Sequence, residues 1–83
     1  MSMMKSLMDE FHALAEANKD DFEVSSLFEQ FVSYANNGHQ MTPVQLLSYL
    51  DNMVEIVMPQ NPQHADKLGQ VQDILDKYRA QLG

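Results

Sequence analysis

The sequence predicts an all-α protein, a small up-and-down bundle of four short helices in a single domain over residues 1–83. Three observations carry that expectation. Apolar residues recur at three-and-four spacings in four successive segments, cap and proline signals separate those segments, and the β-branched residues are scattered among the stripes instead of alternating.

In the first segment Met4, Leu7, Met8, Phe11, Leu14 and Ala15 form one stripe, and Asn18 can close the helix. Asp20-Asp21-Phe22-Glu23 then reads as a capping box with Asp20 as the N-cap and Glu23 reaching back. The second stripe is Val24, Leu27, Phe28, Phe31, Val32 and Ala35, and Asn36-Asn37-Gly38 should stop it with a left-handed glycine. Helix three carries the clearest start: Thr42 as N-cap, Pro43 at the first helical position, Gln45 completing the box, and Met41 with Leu46 as a hydrophobic staple. Pro59 should end it, because the residue before a proline is pushed out of the α region. Asn61-Pro62 starts helix four, whose seam of His64, Leu68, Val71, Leu75, Tyr78 and Leu82 is narrow and heptad-like. Gly69 interrupts that seam, as it would to admit a neighbouring helix. Connections of about two to five residues favour antiparallel neighbours.

Charge and composition bound the function. Twelve acidic residues against five basic ones give a formal net charge of -7, and no Lys or Arg occurs from Asp20 through Ala65. Nucleic acid and anionic membrane, which are bound through clustered cations, are poor partners for such a chain; a basic or neutral protein surface is a better one. There is no cysteine, hence no disulfide framework, and a reducing, cytoplasmic location is expected. Asp9 and Glu10 interrupt the apolar residues of the N-terminus before a signal-peptide core can form, and the longest apolar run, Ile56 to Met58, is far too short to span a bilayer. The chain reads as soluble.

No chemical motif stands out, and neither an enzymatic role nor a cofactor is expected. His12 with Asp9 and Glu16 shares a helix flank and could loosely hold a divalent metal, but carboxylates with a single imidazole make a surface charge cluster the simpler reading, and no metal is expected. The serines show no strained nucleophile turn. Aligning Gly38 with the invariant glycine of a calcium-binding EF-hand loop places Val44 where a bidentate glutamate is required. Acyl carrier proteins need an Asp-Ser-Leu motif that is absent here. PQNP at 59–62 is similar to the proline-bracketed turn of type III secretion needle subunits, but the likeness covers four residues, and cap signals account for both prolines. Methionine supplies 7 residues; Met4 and Met8 belong to the first core stripe, with Met3 the freer of the three.

One face does not fit a solvated helix. Leu46, Leu47, Leu50, Met53, Val54, Val57 and Met58 make the core arc of helix three, yet Gln45, Tyr49, Asn52 and Ile56 form an uncharged strip opposite it. Either helix three is central and touched on several sides by its own chain, or Tyr49, Asn52 and Ile56, with Met53 at the edge, bind another protein. The second alternative predicts a small acidic protein-interaction module: a regulator, inhibitor or chaperone-like adaptor. The alternative function is a structural homo-oligomer, such as a homodimer, packed through the helix-four seam.

Overall fold

Each of the first three helices begins where a side-chain oxygen can take an orphan backbone N–H, one of the four that every helix start leaves without a partner. The computed structural model describes residues 2–83. It places α1 over Met3–Ala17, α2 over Phe22–Asn36, α3 over Pro43–Gln60 and α4 over Ala65–Leu82, with a 3-10 turn at Pro62–His64 before α4. Ser2 Oγ accepts from Lys5 N at 3.1 Å to start α1. At α3 the capping box is complete: Gln45 N donates to Thr42 Oγ1 at 3.2 Å, and Thr42 N donates to Gln45 Oε1 at 3.0 Å.

Four local expectations are corrected. The N-cap of α2 is Asp21, not Asp20: its backbone is extended and Oδ1 accepts from Val24 N at 3.2 Å. That one-residue shift takes Glu23 out of box position. Gly38 does not have positive φ, and the glycine answers to a close approach instead: a Cβ there would collide with Leu46 Cδ1, which packs over the corner between α2 and α3. Gly69 admits no helix, since nothing lies within 4 Å of where its Cβ would be. Pro59 sits inside the last turn of α3, which runs on to Gln60. Asn61 closes that end, donating from Nδ2 to Val57 O at 3.0 Å and from its backbone N to Met58 O at 3.0 Å. Its side chain therefore serves α3, and α4 starts without a side-chain cap.

The four stripes meet in one core: Leu7, Phe11 and Ala15 from α1; Val24, Phe28, Phe31 and Ala35 from α2; Leu46, Leu47, Leu50, Val54 and Val57 from α3; Leu68, Val71 and Leu75 from α4. Among the described residues no polar or charged side chain is buried with them. An edge-to-face aromatic chain crosses this core, from Phe11 to Phe31 at 6.0 Å between centroids, on to Tyr34 at 5.2 Å and to Tyr49 at 6.5 Å. Such contacts each add about 0.5–1.5 kcal/mol beyond the area they bury. Met3, Met4 and Met8 are all half-buried against the core, so Met3 is no freer than the other two. No helix is long and apolar enough, among the described residues, to cross a membrane.

Candidate functional site

The helices pair unequally. α1 packs along α2 and α3 along α4, whereas α2 and α3 touch far less. Polar side chains reinforce both close pairings and also tie α1 to α4, which touch little otherwise. Across α1 and α2, His12 Nδ1 lies 2.7 Å from Glu29 Oε1, and Ser25 Oγ donates to Ala15 O at 3.1 Å. Across α1 and α4, Glu10 accepts from Lys77 Nζ at 2.7 Å and from the Tyr78 hydroxyl at 2.5 Å. Across α3 and α4, Asp51 accepts from Arg79 at 2.6 Å and from Gln72 at 3.1 Å. Between α2 and α3, among the described residues, the Tyr34–Tyr49 ring contact is made but no side-chain hydrogen bond.

What remains between α2 and α3 is an open groove of about 480 Å³. Leu27, Met53, Val57 and Tyr34 provide its apolar lining, Ser26, Gln30, Gln60 and Asn61 add uncharged polar groups, and Glu23 is the single charged residue. Phe22 on α2 and Ile56 on α3 also line it and stand out into solvent, 83% and 53% exposed. From Phe22 to Tyr34 the groove follows α2 for three turns, about 18 Å at the α-helical rise. Its shape is that of a channel between two helices.

The four residues expected to form one binding strip divide. Ile56 and Met53 line the groove, Ile56 exposed and Met53 half-buried. Asn52 is exposed and does not line it. Tyr49 is half-buried, its ring at 85° to that of Tyr34, so it serves as the last member of the aromatic chain and closes the edge of the core. α3 is thus touched on a second side by its own chain at Tyr49, and presents an exposed apolar side chain at Ile56.

Sequence reasoning missed the partner wall. Phe22 was absorbed into the capping motif, although a signal was present: it lies off the stripe of Val24, Leu27, Phe28 and Phe31, in the first turn, where an aromatic ring has no core to enter. Val44 is a second exposed apolar residue, 64% exposed in the first turn of α3, but it does not line the groove.

Several ionisable groups tie helices together, among them Glu10 with Lys77, His12 with Glu29 and Asp51 with Arg79. Lys5 pairs with Asp9 at 3.2 Å, and His12 turns to Glu29, so the helix-one flank does not assemble a metal site; no group of three or more His, Asp or Glu among the described residues is placed to do so. Burial pushes the Glu10 carboxyl up, but the hydrogen bonds from Lys77 and Tyr78 and the Lys77 charge outweigh it and hold the group below its ordinary range. Tyr78 is pushed up to about 12 by burial, by its hydrogen bond to Glu10 and by that carboxylate's charge. At the open end of the groove His64 Nε2 lies 2.9 Å from Glu23 Oε1, with the imidazole largely covered and the carboxylate 73% exposed. The helix-four seam is spent on the chain's own core: Leu68, Val71 and Leu75 are buried, and Leu82 alone among its apolar members is exposed.

A second cavity, about 340 Å³, lies between the start of α1 and the loop from α2 to α3, lined by Met3, Met4, Met41, His39 and the staple partner Leu46. The Met3 and Met4 side chains rest on the core, whereas Met41 is 38% exposed.

No protein-family model matches the chain, and no curated protein or solved structure matches it significantly.

Proposed function

We propose that this chain is a small acidic protein-interaction module, a cytoplasmic regulator, inhibitor or chaperone-like adaptor, that binds a partner protein in the α2–α3 groove and acts without catalysis. The observation that carries the reading is the pair Phe22 and Ile56: two large apolar side chains, exposed on opposite walls of one groove whose lining bears a single charge. A lone exposed apolar residue is ordinary, but two flanking an apolar channel match an interface centre, where aromatic and aliphatic anchors supply most of the binding energy. A groove that follows α2 for three turns and α3 for about two, from Met53 to Gln60, suits the mode in which a helix lies in a groove. The net charge of -7 speaks against nucleic acid and anionic membrane as the ligand.

The test is affinity capture from the native host, comparing the natural chain with a Phe22→Ser, Ile56→Ser double variant of unchanged thermal stability. A partner retained by the first and lost by the second is expected. A partner held equally by both would place binding elsewhere.

A further inference from the structure

We infer that the occupant of the groove is a cationic amphipathic helix, whose apolar face seats between Phe22 and Ile56 and whose Lys or Arg takes the Glu23 carboxylate. The inference rests on the groove being the binding site and adds the chemistry of what fills it.

Charge carries the choice. Both walls fall within Asp20–Ala65, a span with six carboxylates, Asp20, Asp21, Glu23, Glu29, Asp51 and Glu55, and no Lys or Arg. Glu29 and Asp51 are engaged with His12 and Arg79. Glu23 lines the groove itself, 2.9 Å from the His64 imidazole and with its carboxylate 73% exposed. A carboxylate so exposed is open to a guanidinium or ammonium from a ligand, with which it forms a charge-assisted hydrogen bond. The rest of the lining, Ser26, Gln30, Gln60 and Asn61, offers amides and a hydroxyl and presents no cation to an acidic ligand.

A second copy of the chain fits less well. Two molecules of charge -7 repel, and the basic residues that could answer Glu23 lie on α1, α4 and the α1–α2 loop, with Lys5, Lys77 and Arg79 already paired to Asp9, Glu10 and Asp51.

The test uses the full chain and three synthetic helical peptides of about 18 residues sharing one Leu/Phe face, with flanks of Lys, of Gln or of Glu, read by fluorescence anisotropy. The Lys-flanked peptide should bind about tenfold or more tighter than the Glu-flanked one, and less tightly as salt rises. Glu23→Gln should weaken the Lys-flanked peptide several-fold and leave the Gln-flanked one unchanged, while Phe22→Ser with Ile56→Ser should weaken all that bind. Equal binding of the three peptides, still lost in the Phe22/Ile56 variant, would overturn the cationic occupant and leave the groove standing as the site. Binding that ignores Phe22 and Ile56 would remove the groove itself, as would a Lys peptide with scattered apolar residues binding as tightly. Concentration-dependent dimerisation abolished by Ile56→Ser, or failure of all three peptides to bind, would also overturn it.

Discussion

α4 and α2 both lie against α3, yet the two junctions are built from different chemistry. Where α4 meets its neighbours, apolar residues are buried and the rim is tied by Asp51 with Arg79 and Gln72 toward α3, and by Glu10 with Lys77 and Tyr78 toward α1. Where α2 meets α3, Tyr34 touches Tyr49 at one place, and from there the helices leave a channel flanked by Phe22 and Ile56. The difference teaches that this chain has enough polar side chains to lace a helix junction and places them at α4. The α2–α3 junction lacks that lacing, and the binding proposed for it would put another chain where those contacts are missing.

The comparison can be broken most severely at the aromatic chain, which is the part of the α2–α3 junction that does belong to the core. Phe31 is fully buried between Phe11 and Tyr34, and Phe31→Ala should cost about 3–5 kcal/mol in a denaturant titration, much of the stability of so small a domain. At the laced junction the expected losses are smaller. Tyr78→Phe should cost about 1 kcal/mol, the net worth of one hydrogen bond.

That contribution has a defined pH window. Because Tyr78 is raised in the folded chain, its share of stability is complete below the unfolded value of ~10 and is lost as pH rises through about 12. Because Glu10 is lowered, its share is complete above the unfolded value of ~4.3 and is lost as pH falls through the folded one. Thermal melts of the natural chain, Tyr78→Phe and Glu10→Gln across pH should therefore converge at the alkaline end for the first variant and at the acid end for the second.

Gly69 tests the outer side of α4. With open space around its Cβ and an ordinary helical backbone, Gly69→Ala should stabilise by about 0.4–1 kcal/mol, a rise in Tm of a few degrees. The smallest effect belongs to the open junction: Ile56→Ser and Phe22→Ser should each change stability by no more than about 0.5 kcal/mol, since neither side chain is in the core. A loss comparable to that at Phe31 would mean that the groove closes in solution and that both residues are core.

The helices and nearly all of the core could be read from spacing, because a buried stripe must repeat with the helical period, and the box at Thr42, Pro43 and Gln45 is a local device that needs no tertiary context. The misread positions depended on context. Asp20 and Asp21 offer the same carboxylate, and only the path of the chain decides which one caps. Gly38 signals an unusual requirement in either case, but the collision with Leu46 involves a residue eight positions away. The candidate site was half legible. Ile56 stood out as an apolar side chain on an uncharged strip, with Met53 at its edge, but the opposite wall at Phe22 lies more than thirty residues away in sequence, and no single-helix pattern can show which helix faces which. Tyr49 was ambiguous for the same reason: its partner, Tyr34, is on another helix.

The position of Phe22 at the very start of α2 has a consequence for kinetics. The first turn carries both Phe22 and Glu23; it is held by the Asp21 carboxylate at the Val24 N–H and by the contact of Glu23 with His64, and burial in the core begins at Val24. Terminal turns open more readily than helix interiors. The ligand proposed for the groove would meet this terminal turn, and occupancy should be recorded as slowed amide hydrogen exchange at Val24, Ser25 and Ser26, while the amides around Phe31 keep the exchange rates of the free protein.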